Sequence, residues 1–245
     1  MVVQNGKTAI VTDAAGGIGA AIARRLGRDG FAVVVGFAAL RDEADVQVTA
    51  IRALGGRAAA VKGDVSGPQS MRALFDSVEA IFGSVDVLVT RLAIMSWEPI
   101  ACADSALLDR HVATDLGTVF EAMRQAARRL RIGGRVISLS PGTPGLAQPN
   151  DDICAATQAE VGEMTRVLAS EMRTKRVTVN TVAFGSAAIE PDGCDRERAP
   201  SDPSKDIVDA VAYLAGPDSG WANGQIIRIS GGAVSSSLLQ QSEYC

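Results

Sequence analysis

The stretch KTAIVTDAAGGIGAAIARRL, residues 7–26, decides the fold. Its first six residues, 7–12, are mostly apolar or β-branched, which predicts a short buried strand. Glycines follow at positions 16, 17 and 19, and residues 18–26 repeat apolar side chains at helical spacing. The stretch therefore predicts a strand, a tight glycine turn and a helix in direct succession.

The same alternation of strand and helix continues along the chain. Further strands are predicted at residues 32–35, 58–62, 85–89, 135–139, 178–182 and 225–229, with helices at 43–54, 68–82, 105–130, 152–173 and 204–215. Apolar strands separated by helices indicate a parallel sheet that is covered on both faces. We therefore predict an α/β fold with a single doubly wound parallel sheet of the Rossmann type over residues 1–232, and a polar C-terminal tail over 233–245.

Composition and charge exclude several classes of protein. Of the 245 residues, 47% are hydrophobic and 21% are charged, and the formal net charge is −4. The basic residues are scattered, so we expect no nucleic acid partner. No apolar stretch has the length of a membrane span and no leader pattern opens the chain, so we expect a cytoplasmic protein without a membrane partner. The four cysteines are irregularly spaced, which favours free thiols over disulfides or a metal site.

The glycine turn, TDAAGGIG at residues 12–19, carries the first functional signal. Glycines before a helix let the pyrophosphate of a dinucleotide approach the backbone and the helix N-terminus. The turn resembles the phosphate loop of the short-chain dehydrogenase/reductase family, Thr-Gly-x-x-x-Gly-Ile-Gly. Four residues match this pattern: Thr12, Gly17, Ile18 and Gly19. Asp13 takes the place of the first glycine, and its carboxylate would repel a pyrophosphate.

The resemblance extends over nearly the whole chain and implies where a nucleotide would bind. Asp64 and Val65 match the acidic segment that the family uses against the adenine ring, and Asn180 with Gly185 matches the segment after the sixth strand. The second strand ends without an acidic residue, which favours NADP(H) over NAD, with Arg41 as the nearest cation. If a nucleotide binds, the resemblance assigns it to Thr12, Asp13, Gly17, Ile18, Gly19, Asp64 and Val65.

Two large apolar residues predict that cofactor binding is weak. Leu92 stands where the family has a small alanine, and Phe184 replaces a proline close to where the nicotinamide ring would lie. Either side chain would alternatively turn into the core. Together with Asp13, these residues lead us to expect no cofactor or weak NADP(H) binding. Beside them, the Arg91 guanidinium would hold a carboxylate or phosphate, or pair with a nearby acidic side chain.

The resemblance also identifies the positions at which the family carries its catalytic asparagine, serine, tyrosine and lysine. This chain has Asp115, Pro141, Cys154 and Gln158 there, with Ser140 directly before the serine position. Glutamine cannot lower the pKa of a neighbour by charge, and proline has no hydroxyl to donate. The chain is therefore interpreted as a degenerate member that lacks the proton source for ordinary hydride transfer to a carbonyl.

This interpretation favours a non-reductive pseudo-oxidoreductase. It would act as a partner subunit, in a homodimer, a homotetramer or a heteromer with an active family member, through the helices at 105–130 and 152–173. One alternative is a cofactor-independent isomerase, cyclase or lyase of a specialised biosynthetic pathway; another is an atypical NADP(H)-dependent oxidoreductase, and either would bind a small-molecule ligand. The catalytic candidates are Asp115, Cys154, Gln158, Ser140 and His111. Cys154 would alternatively only fill space, and His111 would alternatively lie at the surface or in an interface.

Overall fold

A computed structural model of the chain describes residues 6–63, 68–91, 102, 104–141, 152–184 and 203–229. Within these residues the strands are β1 (Thr8–Val11), β2 (Ala32–Phe37), β3 (Arg57–Lys62), β4 (Val85–Arg91), β5 (Leu130–Pro141), β6 (Thr178–Phe184) and β7 (Ile226–Ile229). They form one sheet in the order β3-β2-β1-β4-β5-β6-β7, and each neighbouring pair is parallel. The predicted single parallel sheet is confirmed.

Helices cover both faces of this sheet. They are α1 (Gly17–Arg28), α2 (Arg41–Ala53), α3 (Pro68–Phe82), α4 (Ser105–His111), α5 (Gly117–Arg129), α6 (Asp152–Glu171) and α7 (Pro203–Ala215). One apolar cluster joins the sheet to α1, α2 and α7, and a second joins it to α3, α5 and α6. The doubly wound arrangement is therefore confirmed, and it explains why the strands are apolar on both sides.

The strand order places a binding crevice beside β1. The chain runs outward from β1 to β2 and β3, then crosses back to β4 on the other side of β1. In open parallel sheets, ligands bind beyond the carboxyl ends of the strands where the order reverses in this way. Thr12 follows β1 directly, and Arg91 ends β4. The glycine turn and Arg91 therefore lie at the same edge of the sheet.

The helix predicted at 105–130 is interrupted. A π-helical turn, Val112–Leu116, separates α4 from α5, and the Gly117 N–H donates to the Val112 carbonyl. Such a turn inserts one extra residue and is frequent at functional sites. It contains Asp115, the residue at the position of the family's asparagine. A single inserted residue does not disturb the apolar spacing enough to be recognised from the sequence.

Strand β5 is longer than the predicted strand at 135–139, because it begins at Leu130 and continues through Ser140 to Pro141. No described helix is long and apolar enough to cross a membrane. Among the same residues, no group of three or more His, Cys, Asp or Glu side chains is arranged to hold a metal. The proposed boundary between a domain at 1–232 and a tail at 233–245 lies outside the described residues and stays a prediction.

Candidate functional site

The glycine turn is fixed to the strands on either side of β1 by two backbone hydrogen bonds. The Thr12 N–H donates to the Val89 carbonyl of β4 at 3.0 Å. The Ala14 N–H donates to the Gly36 carbonyl of β2 at 2.9 Å. A Cβ on Gly36 would lie 2.9 Å from the Val11 carbonyl oxygen, so glycine is needed where β2 passes the turn. The turn is thus held in place by three neighbouring strands.

The start of α1 is closed on its inner side and open on its outer side. A Cβ on Gly19 would lie 2.2 Å from the Asp13 carbonyl oxygen, so the helix packs directly on the turn. Outside the chain neighbours and the helix's own backbone, no heavy atom of the described residues lies within 4 Å of the point where a Cβ would stand on Gly16 or Gly17, and Gly17 has a φ of +55°. The N-cap residue is Gly16, which has no side chain that could cap the first turn. The first N–H groups of α1 therefore suit an anion such as a phosphate.

Asp13 does not present an isolated carboxylate to this anion site. Its backbone is left-handed, with a φ of +50°, and its Oδ2 lies 2.6 Å from Nη1 of Arg91. The guanidinium therefore pairs with a nearby acidic side chain, which was one of the two alternatives for Arg91. The repulsion predicted from Asp13 alone is offset by the positive charge of Arg91.

A second cation stands at the end of β2, where the sequence placed the candidate partner of a 2′-phosphate. The Arg41 guanidinium lies 5.5 Å from the centroid of the buried Phe37 ring. Its Nε is 2.8 Å from Oδ2 of Asp45, and both side chains are exposed. Asp64 and Val65, which the resemblance assigns to the adenine ring, lie outside the described residues.

The end of β5 brings two of the predicted catalytic positions together. Gln158 of α6 is buried, and its amide donates to the Pro141 carbonyl. Ser140 is fully buried, and its hydroxyl has no hydrogen-bond partner among the described residues. An unpartnered buried hydroxyl is uncommon and calls for a ligand or water. Cys154 belongs to the backbone of α6, but its side chain lies outside the described part of the chain.

Sequence reasoning missed two further hydroxyls in the same region. Thr90 and Ser138 are register partners on β4 and β5, and Ser138 lies two residues before Ser140 on the same face of its strand. Their hydroxyls are also buried and lack hydrogen-bond partners within the described residues. Both are polar residues near the carboxyl ends of otherwise apolar strands, and this pattern in the sequence could have identified them.

His111 and Asp115 form a buried pair across the π-helical turn. Nδ1 of His111 lies 3.2 Å from Oδ2 of Asp115, and the two side chains are 0% and 1% exposed. The alternative that His111 lies at the surface or in an interface is therefore wrong for this structure. An imidazole beside a carboxylate is an arrangement that proteins use in general acid–base catalysis.

Phe184 does not occupy the cofactor side of the sheet edge. Its side chain is 1% exposed and belongs to the apolar cluster beneath α1, α2 and α7. The expectation that it blocks a nicotinamide ring is therefore replaced by its alternative, a core position. Leu92, the other residue expected to crowd the cofactor, lies outside the described residues.

Comparison with known proteins places this geometry in a family. Residues 7–192 match the family model described as short chain dehydrogenase. An uncharacterized oxidoreductase of Methylorubrum extorquens is 34% identical over 241 residues, which cover 93% of this chain and 97% of that protein. Versicolorin reductase of Emericella nidulans is 31% identical over 255 residues, which cover 94% of this chain and 96% of the reductase.

Solved structures show the same relationship. A dehydrogenase/reductase from Sinorhizobium meliloti superposes with a TM-score of 0.86 at 30% identity, covering 94% of this chain and 96% of that one. A short chain dehydrogenase from Burkholderia cenocepacia, solved in complex with NADP, superposes with a TM-score of 0.84 at 30% identity, covering 93% and 98%.

These relatives correct the function favoured by the sequence. A non-reductive partner subunit was expected because the positions of the catalytic residues differ. That expectation is wrong, since relatives matching more than nine tenths of the chain are named as oxidoreductases or reductases, and a similar structure contains NADP. The chain belongs to the short-chain dehydrogenase/reductase family.

Proposed function

We propose that this protein is an atypical NADP(H)-dependent oxidoreductase that acts on a carbonyl or alcohol group of a small molecule. The observation that carries the proposal is the open, uncapped N-terminus of α1 behind a glycine turn that three strands hold in place. The naming of relatives as reductases and the NADP complex of a similar protein support it.

Several residues would hold the cofactor. The turn residues Thr12, Asp13, Gly17, Ile18 and Gly19 surround the anion site, and Asp64 with Val65 are kept as a prediction for the adenine side. Arg41 beside Phe37 favours a 2′-phosphate, because β2 ends without an acidic residue that would repel it. When bound, the reduced nicotinamide supplies a hydride to a carbonyl carbon.

The protein is atypical because the side chains that would polarise the substrate carbonyl and donate the proton differ from those of the family pattern. Pro141, Cys154 and Gln158 cannot reproduce the hydroxyl, phenol and ammonium of the family pattern. We assign the polarising hydrogen bond to Ser140, whose buried hydroxyl has no partner in the described part of the chain. Gln158 positions the end of β5 through its hydrogen bond to the Pro141 carbonyl.

We assign the proton to the pair of His111 and Asp115. The Asp115 carboxylate lies 3.2 Å from the imidazole, in the arrangement of a positioned general acid–base group. Because His111 is fully buried, the proton reaches the substrate oxygen through intervening hydroxyls or water rather than by direct contact. The Cys154 thiol is the other candidate proton source. Turnover should be lost in Cys154→Ala if the thiol is the donor and kept if the pair of His111 and Asp115 is.

The proposal is tested by NADPH binding and turnover in two matched glycine variants. Gly17 and Gly83 both have a positive φ, +55° and +85°, and within the described part of the chain no neighbour would meet a Cβ at either position. Alanine at either position therefore costs a similar backbone strain, but only Gly17→Ala crowds the anion site. We expect Gly17→Ala to weaken NADPH binding at least about tenfold, whereas Gly83→Ala binds as the wild type does.

The same preparation is then assayed for oxidation of NADPH with a panel of ketones and quinones. Binding of NADPH with turnover of any member supports the proposal. Absence of binding to both NADPH and NADH by a folded, purified chain would refute it. Turnover of a substrate without nucleotide would instead favour the cofactor-independent alternative.

We further propose that the protein forms a homodimer through α5 and α6. An open groove of about 660 Å³ lies between these helices, lined by Val112, Leu116, Gly117, Phe120, Ala159, Glu160, Glu163 and Met164. Phe120 is 55% exposed there, and Val112 is 44% exposed. Exposed apolar side chains gathered in one groove are typical of an interaction surface. A second copy of the chain is the simplest occupant, because the predicted interface helices line the groove.

A further inference from the structure

We propose that Arg91 is a phosphate-binding residue of the cofactor site and that Asp13 positions it, so that the two form a charge-compensated pair beside the glycine turn. The inference rests on the proposed function and names the residues that set dinucleotide affinity. Its basis is the 2.6 Å contact between Nη1 of Arg91 and Oδ2 of Asp13, two residues that are 78 positions apart. Both differ from the family pattern, which has a glycine and an asparagine at these positions.

The pair contributes little to folding. The Asp13 side chain is 58% exposed and that of Arg91 is 27% exposed, and ion pairs in contact with solvent are weakly stabilising. Asp13 also has a left-handed backbone, which is unfavourable for a residue with a side chain. These two effects oppose each other, so stability does not account for the pair.

Arg91 retains donors for a ligand. Its Nη1 is used by Asp13, but its Nε is buried and has no hydrogen-bond partner among the described residues. A guanidinium has five N–H donors in a planar arrangement that matches phosphate oxygens. A buried donor without a partner at the edge of an anion site is a second, independent indication of a ligand.

The charges give an order of affinities. Removing Arg91 alone leaves the Asp13 carboxylate uncompensated beside the phosphates and should weaken binding most. Removing Asp13 alone takes a negative charge away from the phosphates, an effect that should outweigh the lost positioning of Arg91 and strengthen binding. Removing both leaves only the N-terminus of α1 and should give an affinity between those of the two single variants.

The test titrates NADPH, and separately inorganic pyrophosphate, into the wild type, Asp13→Gly, Arg91→Asn and the double variant. We expect Arg91→Asn to weaken NADPH binding at least about tenfold and Asp13→Gly to strengthen it about threefold, with the double variant in between. Arg91→Lys keeps the charge but not the fork of donors and should recover part of the loss. The differences should shrink as salt is added.

Arg72→Gln provides the matched control, because it removes an exposed arginine that pairs with Asp76 on α3, outside the site. It should bind NADPH as the wild type does.

If the wild type binds NADPH and Arg91→Asn binds it equally well, the inference is wrong and the proposed function stands. If the wild type binds pyrophosphate in the expected order of variants but no NADPH or NADH, the proposed function is wrong and the anion site stands. If Arg91→Asn does not fold, failure of Asp13→Gly to bind more tightly overturns the inference.

Discussion

Replacing Gly19 by Ala should deform the phosphate-binding turn from within. The added Cβ would lie 2.2 Å from the Asp13 carbonyl oxygen, 3.0 Å from its carbonyl carbon and 3.1 Å from the Ala14 Cα. These are backbone atoms, so α1 and the turn must separate by about 1 Å to reach ordinary van der Waals contact. Overpacking of this kind costs about 1–3 kcal/mol. In a chain of this size the unfolding temperature should fall by about 2–4 °C per kcal/mol.

The same displacement moves the first N–H groups of α1 away from the anion site. We therefore expect Gly19→Ala to weaken NADPH binding by at least about tenfold, equivalent to about 1.4 kcal/mol. Isothermal titration measures the affinity, and differential scanning calorimetry measures the unfolding temperature.

Gly27→Ala is the control on the same helix. Its Cβ would lie 2.7 Å from Cγ2 of Ile51, a side-chain atom that lies away from the turn. It should lower the unfolding temperature without changing NADPH affinity. The reasoning is refuted if Gly19→Ala binds NADPH as tightly as the wild type, or if Gly27→Ala weakens binding to the same extent.

Three further predictions address the proton source, the groove and the pH dependence. His111→Gln should lower kcat by at least about 100-fold with little change in NADPH affinity, because only proton transfer is affected; equal losses in binding and in kcat would contradict this. Phe120→Glu should convert the proposed dimer to monomer in analytical ultracentrifugation, since it puts a charge in the apolar groove, and an unchanged sedimentation coefficient would exclude this interface. Hydrogen bonds from Arg124, and then Gln125, lower the pKa of the buried Glu121 carboxyl despite its desolvation. Its stabilising contribution is therefore present above its ordinary pKa of about 4.3 and is lost as the pH falls through the lower folded-state value, so denaturation should show Glu121→Gln approaching the wild type in acid.

The fold followed from local patterns, whereas much of the site did not. Continuous apolar runs and a glycine turn identify strand, turn and helix, because each pattern depends on neighbouring residues. The pair of Asp13 and Arg91 depends on the packing of β1 beside β4, so Asp13 taken alone indicated repulsion of a pyrophosphate and the partner of Arg91 was left open.

The burial of His111 could also not be predicted from the sequence. A single histidine has the same local pattern whether it faces solvent or the protein interior, although its spacing of four residues from Asp115 is that of neighbours on one helical face. Phe184 shows the opposite case, since the ordinary core position proved correct for a residue suspected of blocking the cofactor. A residue that differs from the family pattern can therefore be interpreted only when its neighbours in the folded protein are known.

The π-helical turn at Val112–Leu116 lies between a buried residue and an exposed one. His111 precedes it and helps to form the buried pair, while Phe120 follows it and faces the groove. Deleting one residue there would restore regular α-helical winding and remove the local widening that contains Asp115, whereas α5 would keep nearly the same face towards the groove. The proposed proton transfer should then be lost while the proposed subunit association is retained.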